Sequence, residues 1–186
     1  MKPTRLLLPF THGIDMDVLE YAVLLAKGRN AILVPLALIH IPTGRQSGGA
    51  RLEHVQQSKD FLEAIKHKAA YYDVPIERFE IFTSDVVESV NIHAQNMDCA
   101  DILLFVRDGD GILLQTDEIK HLMVQPTCKL SIIRLPSKAS KRSMWTLPAR
   151  FLNWLPGRRG QQDELLQVQH DLDAEMQLPF EPGKVN

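Results

Sequence analysis

Few residues in this chain have both the type and the spacing for chemistry, and they fall in two short segments. Asp108 and Asp110, in the run from Arg107 to Gly111, could hold Mg²⁺ through carboxylate oxygens and so bridge to a phosphate. Alternating Asp and Gly is also typical of a tight, solvated turn, which is the interpretation we favour. His12, beside Gly13, could contact a ligand, or it could simply face water.

Motifs that would indicate an enzyme or a metal site are absent from the sequence. It contains no Gly-x-Ser-x-Gly elbow and no Gly-x-x-x-x-Gly-Lys-Ser/Thr loop. The seven histidines show no His-x-x-x-His pair, and Cys99 and Cys128 have no metal-ligand spacing. Pro9, Phe10 and Thr11 supply none of the clustered acids that a phosphoacceptor needs. We therefore predict no catalytic residues and no metal site.

The elements that must position these segments follow a β-α order, repeated four times and closed by a fifth strand. The strands are continuously apolar, as in parallel sheets that helices cover on both faces. In such a doubly wound five-stranded α/β fold, ligands bind beyond the carboxyl ends of the strands, where the strand order reverses. Pro35 cannot donate to a ladder, so we expect the second strand to be Leu36–Ile41. We expect Ser84 to cap the third helix.

Five segments follow one another along about residues 3–135: Arg5–Phe10, Ala37–Ile41, Ser84–Val87, Asn96–Phe105 and Ile112–Thr116. Taken in this order, they resemble the universal stress protein family. The resemblance implies the strand order 3-2-1-4-5 and a crevice between the first and fourth strands, which binds ATP in many members. It also implies a homodimer joined through the fifth strand, Lys129–Leu135, whose apolar edge invites pairing with its own copy.

The resemblance also implies where a ligand would lie. In the family, adenosine lies against the ends of the first two strands, and phosphates lie on a Gly-x-x-Gly loop that a Gly-Ser/Thr pair follows. Carried over position by position, the implied binding residues are Pro9, Phe10, Thr11, Ile41, Val106, Arg107, Gly109, Gly111 and Thr116. The implied cofactor is ATP or another adenine nucleotide, with Mg²⁺.

This sequence departs from the family pattern at the phosphate loop. Thr11 stands where an Asp is usual, and Gln115 replaces a glycine. The remaining glycines have the spacing Gly-x-Gly, and Asp108 and Asp110 place carboxylates where a phosphate would lie, which is unfavourable unless a cation intervenes. The phosphate loop is therefore degenerate.

The C-terminal extension, residues 137–186, has polarised charge. Residues 138–160 carry six basic side chains and no acidic one, together with several aromatic and apolar residues, and an acidic helix is predicted at about 163–176 before a disordered end. Trp145–Arg159 could dock on an anionic membrane surface or an acidic protein partner. We favour packing on the chain's own domain or a second subunit, because Pro148 and Pro156 interrupt an interfacial helix.

The leading functional hypothesis is a regulatory or adaptor protein of the universal stress type, formed by residues 1–136, that binds a small ligand or a protein partner without turnover. One alternative is an ATP-binding member with slow or no hydrolysis. Another is a docking module that acts on a membrane surface or a protein through its C-terminal extension.

Composition and charge bound the partners and the location. A formal net charge of −2 offers no argument for nucleic acid. The apolar run Leu6–Leu8 is too short for a signal peptide, and no stretch of the sequence approaches a membrane span. We therefore expect a cytoplasmic protein, with peripheral membrane association as the open alternative.

Overall fold

The computed structural model describes residues 3–41 and 50–137, and the predicted C-terminal extension from Lys138 onward lies outside this range. The strands are β1 Arg5–Phe10, β2 Ile32–His40, β3 Phe79–Thr83, β4 Asp101–Arg107, β5 Asp110–Gly111 and β6 Lys129–Leu135. The helices are α1 Met16–Gly28, α2 Leu52–Tyr71, α3 Val86–Asn96 and α4 Thr116–Val124. No helix in the described ranges is long and apolar enough to cross a membrane.

The sheet has the strand order that the family resemblance implied. Five parallel strands lie in the order β3-β2-β1-β4-β6, which corresponds to 3-2-1-4-5 once the short β5 is left out. The strand order reverses between β1 and β4, so the crevice of this fold lies at their carboxyl ends.

Successive side chains of a strand point to opposite faces of the sheet, and both faces are covered by helices. Leu6, Leu8 and Phe10 of β1 pack in one apolar cluster with buried residues of α1 and α2. Leu7 points the other way, into a second cluster with buried residues of α3 and α4. Burial on both faces explains why the strands are apolar without alternation, and it confirms the predicted α/β class.

The short strand β5 forms a hairpin with the end of β4, where the sequence predicted only a turn. Val106 pairs with Gly111 and Arg107 with Asp110 in antiparallel register, so only two residues connect the strands. These are Asp108 and Gly109, with φ of 54° and 98°. Asp-Gly with both φ positive is a favoured two-residue hairpin connection, because its twist matches that of the strands.

Two predicted element boundaries are wrong. The second strand was predicted to start at Leu36, but β2 starts at Ile32 and contains Pro35. Pro35 is accommodated because the hydrogen-bond ladder between β2 and β3 is interrupted there, between the Leu33–Ile76 bridge and the Leu36–Phe79 pair. A missing N–H donor is tolerated in that gap. Asp85 rather than Ser84 caps α3, since its carboxylate accepts the Glu88 N–H at 2.9 Å.

Candidate functional site

The candidate site lies where β1 and β4 separate. These strands pair only at Leu6–Asp101 and Leu7–Ile102, so their carboxyl-terminal halves leave a gap in the sheet. The segment after β5 enters this gap and bonds to both sides of it. The Ile112 N–H donates to the carbonyl of Phe105 in β4, at 3.1 Å.

On the other side of the gap, the end of β1 donates two hydrogen bonds to the same segment. The N–H groups of Thr11 and His12 reach the Leu113 carbonyl oxygen at 2.8 and 3.3 Å. Leu113 itself is 2% exposed and packs in the core cluster of α1 and α2. The chain's own backbone therefore occupies the space between the β1 and β4 ends.

Glu118, in the first turn of α4, joins this segment to β1. Its Oε2 atom accepts the Thr11 hydroxyl at 2.9 Å and the Gln115 N–H at 2.7 Å. Glu118 was not among the site residues predicted from the sequence. The signal that could have found it is a glutamate three residues after a helix N-cap, where its carboxylate can bond back to the cap N–H.

Two glycines allow the close packing of this segment. A Cβ atom at Gly111 would lie 2.1 Å from the Leu114 carbonyl oxygen, and one at Gly13 would lie 2.7 Å from the Ile112 carbonyl oxygen. The Gly111 N–H donates to the Thr116 hydroxyl at 3.0 Å. Gly111 and Thr116, which the family resemblance implies as phosphate contacts, here bond to each other.

Arg107, another implied ligand residue, is engaged in the framework. Its guanidinium donates to the Asp15 carboxylate at 2.6 Å and to the Pro136 carbonyl at 3.2 Å, and the Arg107 and Asp15 side chains are 12% and 7% exposed. Asp15 is also the N-cap of α1, where it accepts the Asp17 N–H at 3.0 Å. The pair thus fixes the start of α1 against the end of β4.

Beside the filled gap, a pocket opens over the carboxyl ends of β1 and β2, with a volume of about 280 Å³. It combines one apolar side chain with hydroxyl, amide, carboxylate and three imidazole groups. Its lining residues are Thr11, His12, Leu38, His40, His54, Gln115 and Glu118. The pocket is thus a small concave surface on which polar side chains converge, at the edge of the sheet where ligands of this fold class bind.

Within residues 3–41 and 50–137, no group of three or more His, Cys, Asp or Glu side chains is arranged to hold a metal ion. Cys99 is 7% exposed and precedes β4, at the end of the sheet opposite the pocket. Burial raises the pKa of its thiol to about 11, which keeps it protonated and unreactive at neutral pH.

Solved structures of similar fold give the family context. A universal stress protein family member from Burkholderia pseudomallei aligns with a TM-score of 0.57 and 16% identity, over 70% of this chain and 95% of its own. Two structures of the universal stress protein from Archaeoglobus fulgidus, one in complex with dAMP, align with TM-scores of 0.56 at 14% and 15% identity. They cover 70% and 72% of this chain and 93% and 99% of their own. The chain has the universal stress protein fold. No model of a known protein family matches the sequence, and no curated protein matches it either.

Within the universal stress protein fold, the nine implied site residues fall into separate groups. Thr11 alone among them lines the pocket. Pro9 and Phe10 are buried beneath it, and the Phe10 ring stacks on Phe61 with centroids 4.1 Å apart. Ile41 is half-buried, and its N–H donates to the Thr83 carbonyl at 2.7 Å.

The other five implied residues surround the β4–β5 hairpin, on the side of the filled gap. They are Val106, Arg107, Gly109, Gly111 and Thr116. Their roles as ligand contacts stay predictions. The pocket adds residues that the sequence analysis did not assign to it, because strand and helix ends far apart in the sequence meet there. These are Leu38, His40, His54, Gln115 and Glu118; His12, which the sequence left as either a ligand contact or a water-facing side chain, also lines the pocket.

Proposed function

We propose that this protein is a regulatory protein of the universal stress type that binds a small ligand in the pocket over β1 and β2 and does not turn it over. The observation that carries the proposal is the pocket itself, at the carboxyl ends of strands next to the reversal of strand order. The Archaeoglobus fulgidus protein of the same fold was solved in complex with dAMP, a nucleotide, which supports a ligand that contains an adenine nucleoside.

The state of the groups near the hairpin supports binding without turnover. Hydrolysis of a nucleotide needs groups that hold the transferring phosphate and its metal ion in place. Here the Gly111 N–H and the Thr116 hydroxyl bond to each other, and Arg107 is paired with Asp15. A phosphate would have to break these internal contacts before they could act on it.

In this proposal the protein works as a homodimer through β6. Within the described chain, β6 pairs with β4 on one side, which leaves its other edge as a row of backbone donors and acceptors for a second copy. Ile132 in this strand is 46% exposed and would be covered in the dimer.

Thermal unfolding with added ligand tests the proposal. A ligand that binds only the folded state raises the melting temperature in a concentration-dependent way. At a ligand concentration of one hundred times Kd, it adds about 2.7 kcal/mol to the free energy of unfolding. We expect adenosine to raise it, and we expect no release of phosphate from ATP and Mg²⁺ above the buffer blank.

A matched pair of histidine variants on α2 locates the site. His54→Ala removes a pocket wall and should weaken binding by about two- to tenfold, the effect of losing one hydrogen-bonding contact. His67→Ala removes a histidine whose side chain is 76% exposed and should leave binding unchanged. The absence of any shift with millimolar adenosine, AMP or ATP would refute ligand binding, and steady phosphate release would refute the absence of turnover.

A further inference from the structure

The backbone donors at the end of β1 are not free to hold an anion. A phosphate at the carboxyl end of a strand is held by N–H groups that converge on it. The N–H groups of Thr11 and His12 both point to the Leu113 carbonyl oxygen instead. Because Leu113 is buried in the core, its carbonyl cannot withdraw without moving the segment that carries it.

The donors at the start of α4 are engaged in the same way. The Gly111 N–H bonds to the Thr116 hydroxyl, and the Gln115 N–H bonds to Glu118 Oε2. A phosphate placed here would have to displace the Glu118 carboxylate, which already occupies the position that an anion takes at a helix N-terminus.

The charge of the pocket lining also opposes an anion. Glu118 lines the pocket with a carboxylate, whereas Asp117, the preceding residue in the first turn of α4, does not line it. Of the described cations on α4 and β4, Lys120 lies 2.9 Å from Asp117, and Arg107 lies 2.6 Å from Asp15. A ligand phosphate beside Glu118 would therefore meet a like charge.

The same wall suits an uncharged ligand that carries hydrogen-bond donors. The Glu118 carboxylate is an acceptor only, and the imidazole rings of His12, His40 and His54 add further hydrogen-bonding nitrogens to the lining. Leu38 is the apolar residue of the lining. The Glu118 carboxylate can therefore accept hydrogen bonds from amino and hydroxyl groups of a ligand, and the formal charge that it brings to the lining is negative.

We infer that the pocket selects uncharged, donor-bearing ligands over their phosphorylated counterparts, and that Glu118 determines this selection. The inference rests on the proposed function, because it concerns the ligand class of the same pocket.

Calorimetric titration with adenosine and AMP tests the inference, since these probes differ by one phosphate. The wild-type protein should bind adenosine at least about tenfold more tightly than AMP. Glu118→Gln keeps the size of the side chain and removes its charge, and it should bring the two affinities within about threefold of each other. Asp117→Asn removes a neighbouring charge that does not line the pocket, and it should leave the wild-type ratio unchanged.

A second measurement uses the unaltered protein, in case Glu118→Gln weakens α4. Salt screens repulsion between charges, so raising the NaCl concentration from about 0.05 to 0.5 M should narrow the ratio of the two affinities. AMP binding as tightly as adenosine to the wild type overturns the inference and leaves the proposed function standing. A ratio of the adenosine and AMP affinities that neither salt nor Glu118→Gln changes also overturns the inference and leaves the proposed function standing. A protein that binds neither probe refutes the proposed function and this inference together.

Discussion

Gly109 and Gly111 look equivalent in the sequence, but replacing each by alanine should have different consequences. At Gly111 the added Cβ would lie 2.1 Å from the Leu114 carbonyl oxygen and 2.8 Å from Ile119 Cδ1. The oxygen belongs to the backbone, so no rotamer change relieves the overlap. At Gly109 no atom lies within 4 Å of the added Cβ, and only the positive φ of 98° opposes alanine.

The two costs can be worked out separately. Overpacking a closely packed site costs about 1–3 kcal/mol. Shifting the segment also weakens the hydrogen bond between the Gly111 N–H and Thr116, worth about 1 kcal/mol, so we expect Gly111→Ala to cost about 2–4 kcal/mol. Gly109→Ala places an alanine in the left-handed backbone conformation, which costs the folded state about 1–2 kcal/mol. Alanine also lowers the conformational entropy of the unfolded chain, which offsets about 0.4–1 kcal/mol of that cost.

Urea unfolding followed by circular dichroism measures both changes, provided that the denaturant slope stays constant among the variants. Gly111→Ala should also speed amide hydrogen exchange at Thr11 and His12, because their acceptor Leu113 lies in the displaced segment. If Gly109→Ala destabilises the protein as much as Gly111→Ala, the packing argument is wrong, and the backbone conformation of the hairpin decides the need for glycine.

Two further predictions concern the dimer and the response to acid. Light scattering should show that the wild type is a dimer and that Ile132→Lys, on β6, is a monomer. Ile92→Lys, on α3, replaces a side chain of similar exposure, 49%, and should remain dimeric. A wild type that is monomeric at all concentrations excludes this dimer. Burial lowers the pKa of His93, whose ring lies edge-on to Phe79, so the unfolded chain takes up the proton first and stability falls as the pH drops below about 6.5. Between pH 7.5 and 5.5, the melting temperature of His93→Phe should therefore fall less than that of the wild type. His67→Phe, which changes an exposed histidine, should behave like the wild type. Equal decreases in melting temperature in all three proteins would contradict this account.

The order and type of the elements followed from the sequence, because they depend on local chemistry. Apolar runs without alternation predicted a sheet covered on both faces, and the order of the segments led to the family resemblance. The turn at Asp108 and Gly109 was predicted correctly from the residue types. The start of β2 was not, because the place where Pro35 is harmless depends on where β3 stops pairing, and β3 lies more than forty residues away in the chain.

The character of the site was decided only by tertiary structure. Thr11 and Glu118 are 107 residues apart, and Asp15 and Arg107 are 92 apart, yet each pair forms a hydrogen bond. The sequence around one residue of such a pair does not predict contact with the other. That contact depends on how far β1 and β4 separate and on how α4 packs beside them. The sequence identified a degenerate phosphate loop. Packing determined that the space between β1 and β4 is filled by the chain's own backbone, and that the remaining pocket lies over β1 and β2.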